Sequence, residues 1–360
     1  MSHRVTLIPG DGIGPEVVEA TRRVVEATGV AIEWDRQEMG AGAFARTGSP
    51  LPGATLDSIR GTGVALKGPV ETPITSGMRS VNVTLRQDLD LYACVRPCRR
   101  YPGVPSVYGD VDLIVVRENT EGMYTGIEFA MGEPDTKELL RFIEAATGRR
   151  IREDSGVSIK TISREGSERI VRYAFELARA RGRHRVTASH KANIMKVTDG
   201  VFLEVARVVA ASYADLAFDD RIIDALCMEL IRTPERFDVL VMPNLYGDVV
   251  SDLGAGLIGG LGVAPGGHLG DTMAVFEATH GTAPRLAGRN LANPVGLMLS
   301  GAMLLRHLAE GEAGDRLEAA VAAILADGTH VTRDLREPGD DRPPATTVGV
   351  ADAVVSALVG

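Results

Sequence analysis

The sequence predicts an α/β protein with a largely parallel sheet, divided into two domains. Three observations lead there. Short apolar runs alternate with stretches of helical periodicity, the pattern of strand–helix–strand units. A glycine-rich turn joins the first apolar run to the first helical stretch. At 360 residues the chain exceeds what one core ordinarily serves.

The elements follow in order. Val5-Thr6-Leu7-Ile8 reads as the first strand, ending at Pro9. Pro15 suits a first helical position, Val17, Val18, Ala20, Val24, Val25 and Ala27 recur at helical spacing, and Gly29 ends that helix. Strand-like runs return at 111–116, 157–162 and 239–242. Ile170, Tyr173, Ala174, Leu177 and Ala178 mark a helix between them. Loop signals cluster at 40–53, 68–77, 97–105, 262–270 and 336–347. One domain crossing is expected near 97–105. The second is expected near 250, at a Gly-rich helix carrying Gly254, Gly256, Gly259 and Gly260. The domains are then 1–98 plus 251–360, and 99–250.

Composition excludes several classes. Apolar residues make up 44% and charged residues 24%, ordinary for a globular chain. The net charge of −9, without a Lys/Arg block, argues against a nucleic-acid partner. No apolar run approaches the ~18 residues of a membrane helix. Three cysteines, Cys94, Cys98 and Cys227, do not make a disulfide framework, so a reducing, cytoplasmic setting is expected.

The chemistry-bearing residues come in clusters. Asp248 and Asp252 lie four apart in Asn244-Leu245-Tyr246-Gly247-Asp248-Val249-Val250-Ser251-Asp252, which puts both on one face if the segment is helical. With Asp224 upstream they suit a hard ion, Mg²⁺ or Mn²⁺, or else form a solvated acidic face. Arg86, Arg96 and Arg117 end or follow apolar runs. Either they clamp a di- or tricarboxylate or they pair internally, with Glu118 and Asp90 as partners. Tyr124, in Glu118-Asn119-Thr120-Glu121-Gly122-Met123-Tyr124, is a proton donor or a buried aromatic. Lys191, in Ser189-His190-Lys191-Ala192-Asn193, is a base or a solvated lysine. His280-Gly281-Thr282-Ala283-Pro284 with Asn293 wraps a flat ring or is only a turn. Gly10-Asp11-Gly12-Ile13-Gly14-Pro15 fails the dinucleotide fingerprint because Pro15 takes its last glycine, although Glu33 lies at a suitable distance.

Together these motifs resemble the β-decarboxylating dehydrogenases, the isocitrate and 3-isopropylmalate dehydrogenase family, over residues 5–335. The chain looks most like the NAD-type isocitrate dehydrogenases of the mitochondrial kind. The resemblance implies a non-Rossmann two-domain α/β fold and a homodimer with shared active sites. It implies that Arg86, Arg96 and Arg117 hold substrate carboxylates, and that Ser80 and Asn82 serve a third carboxylate where isopropylmalate enzymes carry apolar residues. By the same resemblance Asn193 would approach substrate and cofactor, and Asp248 and Asp252 would bind metal together with Asp224, which would come with Lys191 from the partner chain. Tyr124 and Lys191 would form the catalytic pair, and His280, Gly281, Thr282, Ala283, Arg285, Leu286 and Asn293 would hold the cofactor. The implied reaction is oxidation of isocitrate at C2 by NAD⁺ or NADP⁺ with loss of CO₂, a step of the tricarboxylic acid cycle.

Cofactor choice is divided. NAD-using relatives carry Asp where this chain has Arg285, and NADP-using relatives commonly carry Lys-Tyr where it has Arg285-Leu286; Arg333 also lies near a 2′-phosphate position, but Glu337 replaces a second phosphate-binding Arg. Overall likeness favours NAD. The same chemistry on homoisocitrate, a tartrate or malate type, or a phosphonate analogue is the alternative substrate reading. A non-catalytic regulatory subunit is the alternative class, and retention of Tyr124, Lys191, Asp224, Asp248 and Asp252 counts against it.

Overall fold

The computed structural model describes residues 2–71, 80–337 and 339–360. The loop signal at 68–77 falls mostly outside them. The chain begins β1 (His3–Ile8), α1 (Gly14–Ala27), β2 (Ile32–Arg36), α2 (Ala41–Thr47), α3 (Gly53–Thr62), β3 (Val64–Lys67), α4 (Val81–Asp88), β4 (Ala93–Arg99) and β5 (Asp112–Glu118). A short excursion follows: β6 (Glu128–Phe129), α5 (Pro134–Thr147) and β7 (Val157–Ser158). Next come α6 (Arg164–Ala180), β8 (Arg185–His190), α7 (Asp199–Ala210), β9 (Ala217–Ile222), α8 (Ile223–Arg232), β10 (Val239–Met242) and α9 (Asn244–Leu257). The chain finishes with β11 (Gly267–Leu269), β12 (Ala274–Phe276), α10 (Val295–His307), α11 (Gly311–Asp327) and α12 (Thr347–Val359).

Ten strands form one sheet in the order β2-β1-β3-β12-β11-β4-β5-β10-β8-β9. Its flanks are parallel. The middle is antiparallel, where β11 meets β12 and β4, and β4 meets β5. Helices cover both faces, so interior strands are apolar throughout rather than alternating. β10 shows why: Leu240 and Met242 enter the core shared with α1 and α9–α12, while Val239 and Val241 enter the one beneath α6 and α7. β5 splits the same way, Leu113 and Val115 against Ile114 and Val116. Each such side chain contributes about 1.5–3 kcal/mol by leaving water.

Helix boundaries follow local chemistry. α1 opens with Pro15 in its first turn, and Gly29, at φ +86°, follows its end as expected. α6 is capped by Ser163, whose hydroxyl accepts from the Gly166 N–H.

Several expectations need correction. The run 157–162 supplies only two strand residues, because its partner β6 is itself two residues long and, among the described residues, no third strand extends the ribbon. Two expected loops contain elements: α2 lies within 40–53 and β11 within 262–270. Gly267 belongs to β11 through pairing with Phe276 of β12 and Val95 of β4, and a Cβ there would press on the Phe276 ring. The Gly-rich helix is shorter than expected. α9 ends at Leu257, and Gly259 and Gly260, at φ +111° and +115°, lie beyond it. Gly254 does pack closely, since a Cβ would come within 2.6 Å of the Cys98 sulfur. The expected crossing near 250 falls inside α9. The segment after 335 is held by its own charges. Arg336 pairs with Asp340 at 2.9 Å and donates to the Thr329 and Pro343 carbonyls, and Asp340 also takes Arg342.

Candidate active site

The carboxyl ends of parallel strands gather most of the expected residues, where open α/β sheets place their ligands. Arg117 lies near the end of β5, Asp248 on the helix after β10, Lys191 just after β8 and Asp224 just after β9. These four strands are neighbours in the sheet.

The central cluster is Arg117, Tyr124, Asn244 and Asp248. The Arg117 side chain is only 2% exposed. It donates to the Asn244 carbonyl oxygen from Nε (2.9 Å) and Nη2 (2.7 Å), and its Nη1 pairs with Asp248. It lies against Gly247, where a Cβ would stand 2.4 Å from the Arg117 Cβ and Cγ, so glycine is required. Tyr124 donates its hydroxyl to the other Asp248 oxygen at 2.5 Å, and its ring lies 4.9 Å from the guanidinium. The Tyr124 turn is pinned by Glu118, which accepts from the Thr120 N–H and hydroxyl and the Glu121 N–H. Asn244 donates to the Glu121 carbonyl, tying the same turn to α9.

Charge sets the protonation states. Burial pushes the Asp248 carboxyl up, but Arg117 and the Tyr124 hydrogen bond outweigh it and hold it below the usual carboxylate range. Burial and Asp248 raise the Tyr124 phenol, keeping it protonated. Burial and the like charge of Asp248 raise Asp252. Both acids therefore lie on α9, close enough to repel, as a shared cation site requires.

Arg86 and Arg96 surround this cluster, 9% and 7% exposed. The expected partners Glu118 and Asp90 do not serve the three arginines. Glu118 is occupied by backbone donors, and Asp90 pairs with Arg169 at 2.8 Å. Instead Arg86 approaches Glu277 at 3.8 Å, and Arg96 donates to the Thr279 hydroxyl and, at 3.3 Å, to the Cys94 sulfur. Among the described residues Arg96 meets no carboxylate. Burial and Arg117 both lower the Arg86 guanidinium pKa. Ser80 and Asn82 open α4 ahead of Arg86, and the Asn82 carbonyl oxygen is buried with no hydrogen-bond partner among the described residues. Buried cations with too few anions fit a polycarboxylate.

Lys191 and Asp224 pair with each other, the lysine donating, and Lys191 holds Asp224 below its ordinary pKa. Asp224 is exposed, as is Asn193. Buried Asp199 takes the Lys191 backbone N–H at 2.7 Å. No three His, Cys, Asp or Glu side chains among the described residues converge into a metal cluster within the single chain. Asp224 thus stands apart from Asp248 and Asp252.

The two glycine-containing loops meet. The Ile13 N–H bonds the Thr282 carbonyl at 2.9 Å, and a Cβ on Gly12, at φ +60°, would strike that same oxygen. Ala283 has φ +38°. His280 uses Nδ1 at 3.1 Å from the Gly281 carbonyl, while Nε2 is buried without a partner among the described residues, and burial lowers the ring's pKa. A neutral ring with an unsatisfied nitrogen fits a heteroaromatic ligand. Arg285 and Leu286 are exposed. Asn293 is buried and donates to Asp334 at 2.9 Å.

Sequence reasoning missed the buried charges beneath the arginines. Lys67 pairs with Glu277, which also meets His268 at 2.7 Å, and His268 meets Asn119 at 3.1 Å. Burial opposes ionisation of Glu277, but Lys67, His268 and Arg86 hold it well below its usual range. The signal was a lysine closing the apolar run Val64-Ala65-Leu66. Asn244, at the first position of α9, was also missed as a site residue.

The sequence matches a family model described as isocitrate/isopropylmalate dehydrogenase over residues 4–354. An NAD-type isocitrate dehydrogenase catalytic subunit 5, mitochondrial, from Arabidopsis thaliana is 47% identical over 331 residues, covering 92% of this chain and 83% of that one. A chloroplastic 3-isopropylmalate dehydrogenase from Solanum tuberosum is 47% identical over 326 residues, covering 90% and 86%. A solved isocitrate dehydrogenase from Methylococcus capsulatus superposes with a TM-score of 0.90 at 48% identity, covering 99% of this chain and all of the other.

Proposed function

The chain belongs to the isocitrate/isopropylmalate dehydrogenase family, and from that premise we propose that it oxidatively decarboxylates isocitrate to 2-oxoglutarate with NAD⁺. The observation that carries the reading is the buried trio Arg86, Arg96 and Arg117 beside the Tyr124–Asp248 pair. Relatives named for isocitrate and for isopropylmalate are equally identical to this chain, so overall likeness does not choose between them. The polar side chains of Ser80 and Asn82, ahead of Arg86 on α4, favour the tricarboxylate.

In this reading the arginines bind and orient the carboxylates, and Lys191 takes the C2 hydroxyl proton. Tyr124, kept protonated, then delivers a proton to the carbon that lost CO₂. Asp248 and Asp252, with Asp224 of a second copy, would hold Mg²⁺ or Mn²⁺, which supplies electrophilic stabilisation of charge at the C2 oxygen. The His280–Asn293 region would hold the cofactor, which accepts the hydride.

A homodimer completes this arrangement. Met228 and Ile231 on α8 and Leu245 and Val249 on α9 are exposed apolar residues on the helices that carry Asp224 and Asp248. Within each copy we assign 1–98 plus 251–360 to a large cofactor-binding domain and 99–250 to a smaller dimerisation domain. Three free cysteines support a reducing compartment such as the cytoplasm. Among the described residues no helix is long and apolar enough to cross a membrane.

Arg285 carries a second reading, NADP⁺, because this exposed cation has no carboxylate partner among the described residues. Initial rates of nicotinamide reduction, with Mg²⁺ and each of isocitrate and 3-isopropylmalate, test both points. The expected result is a kcat/KM highest for isocitrate with NAD⁺. A higher value for 3-isopropylmalate would overturn the substrate, and a higher value for NADP⁺ would overturn the cofactor.

A further inference from the structure

Strand alternation turns two faces of β4 and β5 to different surroundings. Arg96 and Arg117 face the candidate active site, while Val95, Pro97 and Ile114 line a cleft on the opposite face. This cleft comprises cavities of about 250 and about 170 Å³ that share Val95, Leu177, Arg181, Met303 and Arg306. Leu177 lies on α6, which packs on β5, β10 and β8, and Met303 and Arg306 lie on α10, which packs on β12 and β3, so the two walls stand on either side of β4 in the sheet order. Charge here is unbalanced. The Glu318 carboxylate already accepts from Arg99 (3.1 Å), Arg306 (2.6 Å) and the Tyr101 hydroxyl (2.9 Å). Asp315 is taken by Arg306, and Asp112 by Arg183. Arg181, which lines both cavities, makes no side-chain hydrogen bond or ion pair among the described residues.

We propose that this cleft is a second ligand site for a small organic carboxylate with an apolar body. Arg181 binds the carboxylate in bidentate fashion, and the body lies against Val95, Leu177 and Met303. Burial and the like charge of Arg306 lower the Arg181 guanidinium pKa, and an incoming anion offsets the second of these. The site shares no residue with the proposed catalytic groups, and its binding readout does not depend on the reaction.

Calorimetric titration of the full-length protein with 2-naphthoate tests this, with 2-naphthalenemethanol and acetate as probes of body and charge alone. Arg181→Gln alters a side chain that is unpaired among the described residues, and circular dichroism checks its fold. Arg152→Gln, 85% exposed, is the surface control. The expected result is one saturable 2-naphthoate site per chain, unchanged in Arg152→Gln, weakened about tenfold or more in Arg181→Gln and comparably weak for the neutral alcohol. Absence of binding, equal binding by Arg181→Gln, equal weakening by Arg152→Gln, or displacement by isocitrate would each overturn the proposal.

Discussion

Asp248 is where the chemistry of single residues concentrates. One oxygen pairs with Arg117 and the other accepts from Tyr124. The carboxylate is therefore ionised while the phenol is kept protonated, which separates an acid from a base within one hydrogen bond. Tyr124→Phe removes the proton donor but leaves the arginines and acids in place. First-turnover formation of reduced nicotinamide is expected to survive, while appearance of 2-oxoglutarate slows by about 10²–10⁴. Equal loss of both signals would remove Tyr124 from the protonation step. Most of this set was legible in the sequence because reactive residue types sit next to turns and strand ends. Asn244 and the Lys67–Glu277–His268 group were not, since a buried polar group shows its purpose only once its partners are known.

At the scale of elements, α9 ties the pieces together. It carries Asn244 toward Arg117, Tyr246 toward Asp199, and Asp248 toward Tyr124. Gly247 permits this by letting the helix lie on the Arg117 side chain. Gly247→Ala is expected to displace Arg117, destabilising the fold by about 1–3 kcal/mol and lowering kcat/KM. Denaturant unfolding and steady-state rates check the two effects; unchanged kcat/KM would show that the Arg117 position does not matter. The periodic helices α1 and α6 and the unbroken apolar run of β10 were readable because burial imposes their patterns. β11 and α2 were not, because glycine signals a turn by composition, and only the pairing with β12 and β4, or the Asp11 carboxylate bonding Ala41 and Gly42, decides otherwise.

The whole molecule divides the proposed chemistry between two places. Arg117, Tyr124 and Asp248 form one cluster, and Lys191 and Asp224 form another that closes on itself. Exposed Met228, Ile231, Leu245 and Val249 run along the helices between them. A second copy, related by twofold symmetry, would bring the first cluster of one chain to the second cluster of the other. Sequence periodicity cannot reveal such sharing, because it reports which face is apolar and not what covers it. The measurement that tests this most directly is activity after co-expression of two inactive variants, Asp248→Asn and Lys191→Met. Shared sites predict recovery of about a quarter of the wild-type rate, since half the dimers are mixed and each mixed dimer keeps one intact site. No recovery from a mixture shown to contain mixed dimers would contradict the account, placing the whole reaction within a single chain.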